Sequence, residues 1–286
     1  MRRLVLLMVV VLSAPALAQR KASEIASVGQ TVDGTRMSIE YYRPVARGRD
    51  SLFGKVVRWG STWTPGANWA TTLDVDKDVE VNGNLLSKGK YAIWTIPRES
   101  DDWTVIFHRK ARAFHTERPN QKEEAFRFTV KAEQGAHMET LMWYFPVVGP
   151  DGATLRLHWG TTLVAMQVSV RPTVVAARLT TAERALYVGS YSYEADWVKS
   201  DGRMEVTDSA GRFIATLKVP AMTEDPTFDL IPLGDHRFRT GRTMGGQVVD
   251  LSDGSTVTFT LDGPAISGFE VRGSDGKAEA RGTRRK

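Results

Sequence analysis

Hydrophobic and polar residues alternate with a period of two along nearly the whole chain. From Ser23 onward the alternating runs are short and are separated by Gly, Asn and Asp about every ten residues, the pattern of β-strands joined by tight turns. Residues 25–32 and 36–42 flank Asp33-Gly34, a hairpin dipeptide, and Pro44 then denies the ladder a donor. Strands are predicted at 71–75, 79–81, 90–97 and 103–108, with Asn82-Gly83 as a turn. Residues 109–124 are polar and without period, which predicts a loop holding at most a short helix. Further strands follow at 125–131, 139–145, 153–159 and 163–170, and Pro172 closes the last.

The segment after Pro172 changes character. Thr180-Thr181-Ala182-Glu183 has capping-box spacing, in which the Thr180 hydroxyl and the Glu183 carboxylate satisfy opposite ends of a first turn, so a short helix is predicted near 181–186. Nine alternating runs then occupy 187–283, around turns such as Asp201-Gly202, Ala210-Gly211, Asp253-Gly254 and Asp275-Gly276. The predicted fold is all-β: an N-terminal β-sandwich over 22–172, followed by a smaller antiparallel β-barrel-like domain over 181–283.

Composition adds an address. Arg2 and Arg3 precede an apolar run from Leu4 to Leu12, and Ala16 and Ala18 fit the small-residue cleavage rule, so residues 1–18 read as a secretory signal peptide. The run is too short for a transmembrane anchor, and no later one is long enough. The expected location is periplasmic or extracellular. The chain has no cysteine, which removes disulfides, thiolate metal sites and cysteine nucleophiles together. The formal charge of +5 includes both leader arginines and the basic tail from Arg281 to Lys286, with no concentrated basic face, so no nucleic-acid partner is expected.

Two consecutive loops carry the candidate chemistry. Residues 43–62 hold Arg43, Arg47, Arg49 and Arg58 among glycines and are long for a simple connection. Residues 59–72 gather Trp59, Trp63 and Trp69, three of the eight tryptophans, around Pro65, Gly66 and Asn68. The indoles could form a platform for a sugar ring, with Asn68 and Arg43 or Arg49 supplying hydrogen bonds; they could equally be core. The arginines could grip a carboxylate or phosphate, or could pair with Asp50 and pin the loop. The ligand-binding candidates are therefore Arg43, Arg49, Trp59, Trp63, Asn68 and Trp69.

Other groupings read as structural. Asp74, Asp76, Asp78 and Glu80 have the every-second-residue spacing that opens a calcium loop, but Val79 stands where that loop needs glycine, and period two makes them one solvated strand face. The five histidines show no metal-ligand spacing, so neither metal nor cofactor is expected. No nucleophile elbow, phosphate loop or dinucleotide fingerprint occurs, and the catalytic residues stay unknown. An acid–base pair could come from Asp101, Asp102 or Glu139 with His108.

Taken together, Tyr41-Tyr42-Arg43-Pro44, Gly48-Arg49, Phe53-Gly54, Trp63 with Gly66-Ala67-Asn68 and Ala70-Thr71-Thr72, Gly89-Lys90-Tyr91 and Thr95-Ile96-Pro97 resemble the secreted bacterial family catalogued as domain of unknown function 2911, over about residues 22–170. The resemblance implies export, an all-β fold and a shared loop, and no activity. Thr64 after Trp63 and Trp69 after Asn68 depart from the family pattern, which there has Arg and a polar or acidic residue. Residues 184–283, opening on Tyr187-Val188-Gly189-Ser190-Tyr191, loosely resemble the small lipocalin-like β domain appended to penicillin-binding-protein-like hydrolases.

Three functions remain open. The first is an exported, non-catalytic binding protein for a carbohydrate or anionic small molecule. The second is a hydrolase of an envelope or nutrient polymer, and the third a structural partner in an envelope complex. An enclosed pocket setting a carboxylate against His would favour the enzyme, and an open groove of Trp and Arg the binder.

Overall fold

The computed structural model describes residues 22–49, 51–198, 201–209 and 212–286. The predicted leader, Asp50 and the Ala210-Gly211 turn lie outside them. The first half contains ten strands: β1 (Glu24–Val32), β2 (Thr35–Arg43), β3 (Thr72–Val75), β4 (Val79–Val81), β5 (Asn84–Leu86), β6 (Gly89–Ile96), β7 (Trp103–His108), β8 (Glu124–Val130), β9 (Ala132–Val148) and β10 (Gly152–Val170). They form a six-stranded sheet in the order β1-β2-β3-β6-β7-β8 and a four-stranded sheet in the order β5-β4-β10-β9, each antiparallel.

Alternation drives the packing. On β2 the buried positions are Thr35, Met37, Ile39 and Tyr41, every second residue, and on β10 Val164, Met166, Val168 and Val170 do the same. These inward rows face each other, so Ile39, Leu73 and Val105 of one sheet share a single core with Val81, Leu157 and Val168 of the other. The first half is a β-sandwich. The turns follow their residues: Asp33 (φ 43°) with Gly34 (φ 67°), and Asn82 (φ 46°) with Gly83 (φ 77°), supply the left-handed pairs that two-residue hairpins require.

The chain differs from its sequence pattern in strand length. The predicted 139–145 run is the middle of β9, and the predicted 153–159 and 163–170 runs are one strand, β10. Gly160, read as punctuation, sits at a bulge where the β9/β10 register slips on both sides, so the strands bend and continue. The edge of β9 is lengthened by the loop after β2: the Ala46 N–H donates to Glu139 O at 2.7 Å and the Leu141 N–H to Pro44 O at 2.9 Å.

The capping box forms as its spacing predicts, opening α1 (Thr181–Ala185): the Glu183 N–H donates to Thr180 Oγ1 at 3.2 Å, and the Thr180 N–H to the Glu183 carboxylate at 2.7 Å. Eight strands follow, β11 (Gly189–Tyr193), β12 (Gly202–Ser209), β13 (Arg212–Lys218), β14 (Thr227–Gly234), β15 (Arg237–Met244), β16 (Gln247–Asp262), β17 (Ala265–Arg272) and β18 (Ala278–Thr283), paired in sequence order. Bridges Tyr191↔Arg284 and Glu194↔Arg281 then tie the first strand to the last, leaving a nearly closed antiparallel barrel. At this seam a Cβ on Gly282 would lie 1.8 Å from Ser192 O, so only glycine lets the strands meet.

The barrel interior is filled rather than hollow. Tyr187, Tyr191, Phe213, Phe238, Phe259 and Phe269 contact one another with ring centroids 4.9–6.2 Å apart, mostly edge to face. Among the described residues of this half, one charged side chain is buried. Asp229, 2% exposed, accepts from Arg212 Nε at 3.0 Å and from both the backbone and the hydroxyl of Thr243, and Arg212 Nη2 pairs with it at 2.9 Å. Among the described residues, no strand of the first ten pairs with a strand of the last eight.

Candidate functional site

The loop after β2 folds back on itself by local backbone bonds. The Val56 and Val57 N–H groups donate to Leu52 O, and the Gly54 N–H donates to Val57 O at 2.7 Å. This turn drives Phe53 into the midst of four indoles. Its ring centroid lies 4.9 Å from Trp103, 5.6 Å from Trp63, and 6.0 Å from both Trp59 and Trp159. Gly54 (φ 89°) is required here, because a Cβ would stand 2.7 Å from Trp59 Nε1.

Trp63 belongs to the packing beneath the surface. Its backbone pairs with Thr95 of β6, and its indole stacks on Trp159 at 6.1 Å with 22° between planes. The residues after it form a buried clasp. Thr64 Oγ1 donates to Ile93 O at 3.1 Å and accepts from the Thr71 N–H at 2.9 Å, while Pro65 O accepts from Thr71 Oγ1 at 2.8 Å and Trp143 Nε1 at 3.1 Å. Thr64 is fully buried, so an arginine at this position would place an unpaired charge in this clasp unless the loop rearranged.

Arg49 and Trp59 open onto the same cleft, of about 550 Å³. Its floor carries Leu52, Phe53 and Trp159, and its far wall comes from β9 and β10 with Gln134, His137, Glu139 and Thr162. Arg49 is fixed by its own loop: Nε donates to Ala46 O at 2.7 Å and Nη2 to Val45 O at 2.6 Å. Nη1 has no hydrogen bond among the described residues. Arg47 braces the wall opposite, its N–H donating to Glu139 Oε1 at 2.6 Å.

Glu139 and His137 form a pair, with His137 Nε2 3.1 Å from Glu139 Oε2. Their spacing of two on β9 places both on one face of the strand. The pair corrects the partner expected from sequence: His108 is buried elsewhere, its Nε2 3.1 Å from Asn120 O. Hydrogen bonding from His137, then from the Arg47 N–H, holds the Glu139 carboxyl below its ordinary 4.5. Folding therefore favours the ionised form. This contribution is fully present above pH about 4.5 and is lost as pH falls through the lower folded value. The melting temperature of the wild type is expected to drop more steeply between pH about 5 and about 3 than that of Glu139→Gln, followed by circular dichroism. Equal slopes would show that the pair does not couple to folding.

The other candidates do not line the cleft. Arg43 Nε donates to Leu141 O at 3.1 Å, fastening β2 to β9. Asn68 (φ 57°) donates from Nδ2 to Ser23 O at 3.4 Å, and its own carbonyl accepts from the His115 N–H at 2.7 Å. Trp69 meets Phe114 edge to face at 5.4 Å, with the Arg112 guanidinium 4.0 Å from its ring centroid. Neither Arg43 nor Arg49 hydrogen-bonds to the Asn68 loop. Arg47 Nη2 donates to Ala22 O at 2.9 Å, one residue before Ser23. The acidic row divides likewise: Asp74 and Glu80 are exposed on strands, and Asp76 and Asp78 accept the Arg36 and Lys88 N–H groups at 2.8 Å.

With this geometry in place, comparison with known proteins gives one family. The family described as a protein of unknown function (DUF2911) matches residues 23–168, the whole sandwich nearly to its last strand's end. No curated protein matches the chain.

Proposed function

Because the chain belongs to the DUF2911 family across its sandwich, whose description assigns no activity, we propose a function from the cleft itself: an exported, non-catalytic binding protein for a carbohydrate bearing a carboxylate. The observation that carries this reading is the pairing of Trp59 with Arg49 on one open wall. A half-buried indole offers a face for the apolar side of a sugar ring, and a guanidinium held by two carbonyls has Nη1 without a hydrogen bond among the described residues, able to meet an anion. Fixing both groups before the ligand arrives lowers the ordering cost of binding. Gln134, Thr161 and Thr162 add amide and hydroxyl partners for ring hydroxyls.

Export belongs to the proposal. It rests on Arg2, Arg3, the apolar run to Leu12 and the Ala16 and Ala18 cleavage pattern, and it places the protein in the periplasm or outside the cell. The C-terminal barrel is proposed as a lipocalin-like adapter. Its interior is occupied by aromatic rings, which supports a role through its surface rather than as a ligand chamber.

The second reading, a hydrolase, has one observation in its favour, the His137–Glu139 pair in the cleft. Against it, the Glu139 carboxyl is pushed down rather than up, the wrong direction for a general acid near neutral pH. Calorimetry with uronic acids and their neutral parent sugars decides between the two. Binding of the acid over the neutral sugar is expected, and Arg49→Ala should weaken it by about tenfold or more, the value of a charge-assisted hydrogen bond. Turnover of an oligosaccharide, lost in His137→Ala, would favour the hydrolase; no binding of any sugar would remove the proposal.

A further inference from the structure

Beside the cleft lies a second, smaller depression of about 160 Å³, and the two share Trp59, Gln134 and Thr162. These shared residues form a saddle. Gln134 and Thr162 are direct cross-strand partners on β9 and β10, and Trp59 stands across from them on the loop. The indole packs on Phe53 and the Gly54 turn, and the backbone after it is held by the Gly60 N–H, which donates to Pro97 O at 2.8 Å. Beyond it, Trp103 Nε1 donates to Arg98 O at 3.1 Å and so shapes the 98–102 loop, the depression's outer wall. Trp59 therefore stands between two preformed hollows.

The hollows differ in charge. The larger carries Arg49 and the His137–Glu139 pair, in which the carboxylate is already satisfied by His137 and the Arg47 N–H. The smaller is lined by Glu99, Asp101 and Asp102 against Arg98 and Lys131, so three carboxylates meet two cations. The first sets one guanidinium against one carboxylate and the second carries a negative excess, so an anion is favoured in the first relative to the second. We infer that the site has two consecutive subsites and takes an oligosaccharide that crosses Trp59, with an acidic sugar beside Arg49 and a neutral or amino sugar in the smaller hollow. This rests on the carbohydrate-binding reading above and adds to it the ligand's length, order and charge pattern.

The test uses three probes on the full-length protein: a uronic acid monosaccharide, a disaccharide of that acid linked to an N-acetylhexosamine, and a disaccharide of two uronic acids. Calorimetry is expected to show the mixed disaccharide binding at least about tenfold more tightly than the monosaccharide, and the diuronide gaining little. Ser100→Trp fills the smaller hollow from its exposed outer loop. It should remove the gain of the mixed disaccharide while leaving monosaccharide affinity within about twofold. A mixed disaccharide no tighter than the monosaccharide, or a gain that survives Ser100→Trp, overturns the second subsite and leaves the first standing. Failure of the monosaccharide and both disaccharides overturns the two together.

Discussion

Replacing Asp229 by alanine is expected to lower the melting temperature of the C-terminal barrel by roughly 12–24 °C while leaving the sandwich transition in place. Asp229 is almost inaccessible, and its two oxygens together accept from the Arg212 guanidinium and from the N–H and hydroxyl of Thr243. Removing the carboxylate strands all of those donors. Breaking a buried pair by deleting one partner costs about 3–5 kcal/mol. Because Arg212 is 47% exposed and water can reach its outer edge, the lower end, about 3 kcal/mol, is the expected value. Asp229→Asn, which keeps acceptors for Thr243, should recover part of the loss. Differential scanning calorimetry also tests the proposed division into two domains. Two transitions, of which Asp229→Ala shifts one, support folding units at 22–172 and 181–283; one transition moving as a whole refutes them.

Trp63→Ala should destabilise the sandwich by about 3 kcal/mol, and Trp59→Ala should barely change it. Both indoles touch Phe53 and pack against the shared core, but Trp63 is also stacked on Trp159 and pairs with β6 through its backbone. Deleting it leaves Phe53 and Trp159 facing a void. For a unit of this size the loss corresponds to a fall of roughly 6–12 °C in melting temperature. Trp59 covers the cleft's edge, so its removal should cost affinity for the acidic sugar instead. Thermal melts and titrations on the two variants should therefore give opposite pairs of results. A Trp59→Ala protein as destabilised as Trp63→Ala would make Trp59 a packing residue and remove the platform.

What the sequence made legible was local. Asp33-Gly34, Asn82-Gly83 and the Thr180/Glu183 box each specify a conformation within four residues, and each forms as read. Strand extent was less legible, because glycine marks a turn and a bulge alike: Gly160 bends β10 without ending it, the predicted break at Asp253-Gly254 is interior to β16, and β9 runs past the predicted 139–145 at both ends. The site divides the same way. Arg49 and Trp59 lie on the loops that drew attention to them, whereas Gln134, His137, Glu139 and Thr162 join the cleft only through the pairing of β9 with β10. One signal was available: His137 stands two residues before Glu139, the first residue of a predicted strand, so a strand extended by two residues puts both on one face. Nothing in the chain could have said that this face meets the Arg49 loop some ninety residues away.

The Gly282 seam has a consequence for how each half of the molecule fails. Where β11 and β18 meet, the barrel's outermost strands are occupied with each other, so little backbone is offered to another copy of the chain. The six-stranded sheet ends instead at β1 and β8, which pair on one side only within that sheet. Charge on β8, where Glu124 bonds Arg127, discourages a stranger from adding there. β1 carries Ile25 half exposed and a charge only at its first residue, Glu24, a weaker deterrent. Clumping during concentration or storage should therefore begin at the first strand of the sandwich, and a lysine at Ser27 or Gly29 is the change most suited to keeping the protein in solution.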